Sequence, residues 1–158
     1  MKMRLQHAVI VLFVLVAGSC STESLDDTNI LTAQNDKAIE AELLQIVNEH
    51  RSSLGYSELE FSSVAYQYAN AHNDYMIGKG TINHDNFSSR ALKISDKVNA
   101  SFVAENVAKD YATAAIALQE WLDSSGHRKN IEGDFTHTGI SVKKDENDDL
   151  YFTQLFYR

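Results

Sequence analysis

Three residues stand where side chains can meet in a cleft. They are His84 in Asn83-His84-Asp85, Glu105 in Ala104-Glu105-Asn106, and His127 in Ser125-Gly126-His127. Each falls at a break between regular segments, where side chains face clefts more readily than cores. Two imidazoles and a carboxylate form a facial set for Zn²⁺ that leaves positions open for water or substrate. The same groups can also make an acid/base pair in which the carboxylate orients one imidazole. Spacing alone selects neither, because gaps of 21 and 22 residues match no local motif such as His-Glu-x-x-His. Histidines so placed also serve as plain loop or cap residues.

The elements that must position these groups read as helices first and strands last. From Asp36, apolar residues recur at Ile39, Leu43, Ile46/Val47 and Leu54, and Gly55 is a stop. Ser62 or Ser63 can cap a second helix with Val64/Ala65, Tyr68/Ala69, His72 and Tyr75/Met76 on one face, ended by Gly78 and Gly80. Residues 81–95 hold the turn formers Asn83, Asp85, Asn86, Ser88 and Ser89, which puts His84 in a loop or at the mouth of a short helix. Residues 98–107 read as extended. Asp110 is the expected cap of a third long helix with Ala114, Ala117/Leu118 and Trp121/Leu122 inward; Ser124-Ser125-Gly126 then breaks it. Phe135–Val142 and Leu150–Phe156 are strand-like runs around an acidic hairpin turn at Asp145–Asp149. Helices in front, strands behind and no βαβ alternation give an α+β domain with an antiparallel sheet.

The N-terminus differs in kind. Met1-Lys2-Met3-Arg4 is basic, Ala8–Ala17 is apolar, and Gly18-Ser19-Cys20 follows. The run is short for a permanent membrane span and has the three-part form of an export signal. We therefore expect a leader at 1–19, a flexible tether at 20–35 and one folded domain at 36–158. Removal of Lys2 and Arg4 with the leader would make the net charge of −8 more negative still. Such a charge disfavours nucleic acid and anionic membrane surfaces as partners. Cys20 is the single cysteine, so the domain is expected to hold no disulfide, no thiolate metal site and no cysteine nucleophile.

Two resemblances add to this reading. Val16-Ala17-Gly18-Ser19-Cys20 is similar to a bacterial lipoprotein box, which implies lipidation at Cys20 and a two-chain anchor in the bacterial envelope, on the periplasmic or the outer face. The alternative is a secreted protein. The ordered stretches Val47-Asn48-Glu49-His50-Arg51, Asn83-His84-Asp85, Ala104-Glu105-Asn106-Val107, Trp121-x-x-Ser124-x-Gly126-His127-Arg128-x-Asn130-Ile131, Phe135-Thr136-His137-x-Gly139-Ile140 and Tyr151–Phe156 resemble the bacterial branch of the CAP superfamily. That superfamily comprises the cysteine-rich secretory, antigen 5 and pathogenesis-related class 1 proteins, and its domain is also called SCP-like.

The resemblance implies a three-layer α-β-α sandwich and a cavity tetrad of two histidines and two acids that binds Zn²⁺ in some members. His84, Glu105 and His127 correspond to three of the four, and Ser124 stands where many relatives have the second glutamate. Loss of that anion weakens the expected hold on a divalent metal, so Zn²⁺ is a candidate and no cofactor is required. Trp121 is read as core, and Asn106, Arg128 and Asn130 as satisfying loop backbone. Gln154 is placed at the cavity periphery with Asn106 and Ser124, while His50, His72 and His137 are taken as structural or surface residues. The function expected is a monomeric module whose cleft binds an extracellular lipid, glycan or protein. A metal-assisted peptide or cell-wall hydrolase and a purely structural envelope protein are the alternatives.

Overall fold

The computed structural model describes residues 33–158; the leader, most of the tether and Cys20 lie outside the described residues. Among the described residues no helix is long and apolar enough to cross a membrane. Helix α1 (Lys37–Ser53) starts where Asp36 accepts a hydrogen bond from Ile39 N at 3.1 Å. A two-residue strand, β1 (Glu60–Phe61), leads to α2 (Ser63–Lys79). Ser62 caps α2 by accepting from Ala65 N, and Gly80 ends it in the left-handed region at φ +68°.

Two local expectations change. Residues 87–98 form a regular helix, α3 (Phe87–Val98), not a run of turns. Its buried stripe is Arg90 and Ile94, with Phe87 and Val98 packed beside it, and the many serines and charges of its outer face hid that period. After β2 (Val103–Lys109), helix α4 (Ala114–Asp123) is capped by Thr113, whose Oγ1 accepts from Ile116 N, and not by Asp110. Asp110 instead turns the chain at φ +67°. A short helix, α5 (Ser125–Ile131), follows directly, then β3 (His137–Lys144) and β4 (Leu150–Tyr157).

The strand order is β1-β3-β4-β2. The three long strands are antiparallel, but β1 runs parallel to β3, so the sheet is mixed and not wholly antiparallel. Two residues carry no period-2 pattern, which is why β1 was not legible. Register aligns Asn106, Gln154 and Ile140 in one row and Glu105, Leu155 and Gly139 in the next. Even-numbered residues therefore face α1, α4 and α5, and odd-numbered residues face α2 and α3. The even face is the larger apolar core: Trp121, Phe152, Phe156, Leu43 and Val47 meet there. Trp121 meets Phe152 edge-on at 6.5 Å, an arrangement worth about 1 kcal/mol beyond area burial.

The odd face is more polar. Asn73 of α2 donates to Ser141 O, Ser141 Oγ and Tyr151 O and accepts from Thr153 Oγ1 at 2.6 Å. At the outer edge of β3, Asn35 bridges Lys143, and Lys144 N donates to Gln34 O. Gln34 and Asn35, placed in the tether on sequence grounds, are thus part of the folded unit. Arg51 is buried and clamps the segment before β3, donating to Ile131 O, Gly133 O, Phe135 O and Ser57 O.

Gly139 is where α2 lies flat on the sheet. A Cβ there would overlap the Tyr66 backbone nitrogen and lie 2.5 Å from the Ala65 carbonyl carbon. Neither neighbour is a side chain that can swing aside. Gly139→Ala is expected to cost about 3 kcal/mol or more of unfolding free energy, read from urea denaturation. A loss below about 1 kcal/mol would mean that α2 does not pack this closely.

Candidate functional site

β2 is the outer strand on one side of the sheet, and its free edge organises the site. Phe102 and Arg158 exchange both backbone hydrogen bonds, so even-numbered residues of β2 point their N–H and C=O groups toward β4. The odd-numbered residues point theirs outward. Helices α4 and α5 cover part of this edge. Trp121 Nε1 donates to Val107 O at 3.2 Å, and Asn130 Nδ2 donates to Glu105 O at 3.3 Å. Asn106 Nδ2 donates to His127 O and its Oδ1 accepts from Asn130, which ties α5 to the strand.

The side chain of Glu105 projects from the odd face and is about 1% exposed. Arg90 grips both oxygens: Nε to Oε2 and Nη2 to Oε1, each at 2.8 Å. His84 Nδ1 lies 2.9 Å from Oε1. His72 Nε2 comes within 3.8 Å of the same oxygen but donates to Asn83 O at 2.8 Å, which holds the residue before His84 in place. That bond puts the proton of His72 on Nε2 and leaves Nδ1 buried without a partner among the described residues. Arg90 and His72 are the functional neighbours that sequence reasoning missed. For Arg90 the available signal was a charged residue on the apolar stripe Phe87, Ala91, Ile94 and Val98. For His72 it was a histidine on the inner face of α2.

His84 and Glu105 come together, whereas His127 stands apart from that contact. His127 is half-buried on α5, with its ring 6.5 Å from that of Trp121. Burial, and secondarily the charge of His84, push the His127 pKa below the ordinary imidazole value. His72 is pushed down as well, first by burial, against the pull of Glu105. Ser124 is the junction residue between α4 and α5, and its carbonyl accepts from Arg128 N. Gln154 does not reach the site. It is fully buried on the even face, where Nε2 donates to Thr138 Oγ1.

The zinc expectation does not fit this donor set. Both oxygens of Glu105 are engaged by a guanidinium, and a cation beside that guanidinium would be repelled. Two imidazoles remain, and among the described residues no group of three or more His, Cys, Asp or Glu is arranged to hold a metal.

Beside Glu105 opens a cleft of about 860 Å³. His84 and Phe87 stand on one wall, Lys129 and Asn130 on the other, and Phe102 and Phe135 at one end. Phe102 is 55% exposed and stacks on Phe135 at 5.8 Å between ring centroids. A volume of this size with an aromatic end and a few fixed polar groups is the form of a small-ligand or peptide site.

Residues 44–156 match the CAP family, described as the cysteine-rich secretory protein family. The chain belongs to the CAP family. An uncharacterized membrane protein of Bacillus subtilis (strain 168) is 30% identical over 125 residues, which cover 75% of this chain and 34% of that protein. A second uncharacterized protein of the same strain is 26% identical over 124 residues, covering 76% and 48%. This CAP chain thus spans half or less of the length of those relatives. Among solved structures, an outer surface protein of Borrelia burgdorferi superposes with TM-score 0.72 at 19% identity, covering 80% of this chain and 96% of that one, a likeness of fold. An extracellular protein with an SCP domain from Bacillus anthracis superposes with TM-score 0.66 at 26% identity, covering 77% and 40%. The α-β-α arrangement of this CAP domain agrees with these neighbours.

Two measurements follow from the buried charges. Glu105→Ala strands the Arg90 guanidinium and is expected to cost about 3–5 kcal/mol in urea denaturation, whereas Arg90→Met/Glu105→Met together are expected to cost less than either single change. Additive losses would show that the two groups do not act as a pair. Because folding lowers both imidazole pKa values, the unfolded chain binds more protons below about pH 6.5. Stability is then fully present above that value and falls as the pH descends through the depressed pKa values. The urea midpoint should drop between about pH 7 and about pH 5, and drop less in His72→Gln/His127→Gln.

Proposed function

We propose that this CAP domain is an envelope-anchored binding module whose cleft beside His84 and Glu105 takes an extracellular ligand. The observation that carries this reading is the neutralised carboxylate: Glu105 is gripped at both oxygens by Arg90 while the cleft next to it stays open. A carboxylate with both oxygens already engaged shapes and polarises a wall but is a poor metal ligand. Anchoring at Cys20 is supported by the three-part leader and its lipoprotein-like end. Relatives named as extracellular and membrane proteins are in keeping with it.

A hydrolase is the weaker reading. The Glu105–His84 contact does orient an imidazole, with Nε2 as its open nitrogen. Yet among the described residues no hydroxyl is hydrogen-bonded to His84 or His127, so neither imidazole activates a side-chain nucleophile.

Titration of ¹⁵N-labelled domain separates the readings. The probes are a soluble glycan fragment, a short-chain phosphatidylcholine and a linear hexapeptide pool. At least one class is expected to shift signals of His84, Phe102 and Asn130 saturably, with Phe102→Ala weakening it about tenfold, equivalent to about 1.4 kcal/mol. Shifts confined to other surfaces, or none with any probe, would reject the cleft. In cells, Cys20→Ala is expected to leave the membrane fraction; its retention there would reject the anchor.

A further inference from the structure

The covered edge of β2 is covered only in part. Because Phe102 and Arg158 form a doubly bonded pair, Val103 and Glu105 turn their backbone groups away from β4. Asn130 takes Glu105 O and Trp121 takes Val107 O. Val103 N–H, Val103 C=O and Glu105 N–H have no hydrogen-bond partner among the described residues, and Val103, Ala104 and Glu105 all line the cleft. Unpaired strand groups are a template for another extended backbone. Here the template is about one residue pair long before Asn130 stops it.

We infer that the ligand of this cleft is an extended peptide, seated antiparallel or parallel along Val103–Glu105 as a short added strand. This rests on the cleft being a binding site and names the class of its ligand. Period-2 alternation assigns the side chains of the added segment. One set falls on the stacked Phe102–Phe135 platform of the even face, and the alternate set falls toward His84 and Phe87 on the odd face. A lipid tail would fill the aromatic end but would leave three backbone polar groups buried and unpaired, at about 1–3 kcal/mol each.

The test uses an array of linear hexapeptides probed with the folded domain, followed by an N-methyl scan of the strongest binder. Methylation of the single amide that donates to Val103 C=O is expected to weaken binding about tenfold or more, with the amides on either side tolerant, and the ¹⁵N signals of Val103 and Glu105 should shift together. Val103→Pro removes one outward N–H at an edge position where proline does not break a ladder bond, and should weaken the same peptide while the ¹⁵N spectrum away from β2 stays that of the folded domain. If Val103→Pro misfolds, the methyl scan on the peptide still decides. A flat methyl scan, or no hexapeptide bound above background, overturns the inference. In that event saturable shifts of His84 and Phe102 by the glycan or the phosphatidylcholine would leave the cleft reading standing, and their absence would remove both.

Discussion

A carboxylate with its side chain buried against a sheet must be matched before this chain can close, and most of the site follows from how Glu105 is matched. Burial of one ion costs several kcal/mol unless its partner arrives with good geometry. Arg90 supplies that geometry with a two-point grip, and Arg90 can reach Glu105 only if α3 stands over the end of β2. The same guanidinium donates to Asp85 O at 2.6 Å, so the loop that carries His84 is bonded to the group that fixes α3. His72 fastens the other side of that loop through Asn83 O. One buried pair thus positions a helix, a loop and an imidazole together. Its contribution is to specificity of arrangement more than to net stability, as is usual for buried ion pairs that set a geometry.

The opposite side of the strand is organised by a different need. An outer strand with free N–H and C=O groups invites pairing with other chains, and α4 and α5 blunt that hazard with side chains instead of a further strand. Trp121 serves twice, as core beneath α4 and as donor to Val107 O. The break at Ser124, extended at φ −90° and ψ 117°, lets α5 turn back so that Asn130 reaches Glu105 O. In that position Ser124 works as a joint between two helices. The carbonyl of His127 is bonded to Asn106, so the second histidine is anchored through its backbone while its ring stays half-buried near Trp121.

What was legible in the sequence divides along these lines. Helices with a single buried apolar stripe and an ordinary cap, α1 and α2, could be read from Asp36, Ser62 and the spacing that follows them. So could β3 and β4, whose apolar runs flank an acidic turn. Helix α3 was hidden because it opens on Asn86 in a left-handed conformation with no side-chain cap, and because its inner face contains an arginine. The same arginine made the site half legible: His84 and Glu105 could be paired by resemblance, but nothing local announced that the carboxylate already has a guanidinium. Gln154 was misplaced because a polar residue in a strand suggests an open face, whereas here Thr138 supplies an internal partner for its amide.

The register of the sheet joins these observations. Odd-numbered residues of β2, β3 and β4 share one face, so Glu105 can meet Arg90 only while Ser141 and Thr153 meet Asn73 and Gly139 lies under Tyr66. A slip of one residue would turn Glu105 into the apolar layer beside Trp121 and would place Asn106 under α3. Several buried polar groups would then lose their partners at once, each at a cost of about 1–3 kcal/mol. The polar layer beneath α2, distant in sequence from the cleft, therefore discriminates against every register in which the cleft could not form. Glu105 is held in place locally by Arg90, and globally by a sheet whose hydrogen-bonding side chains accept one alignment.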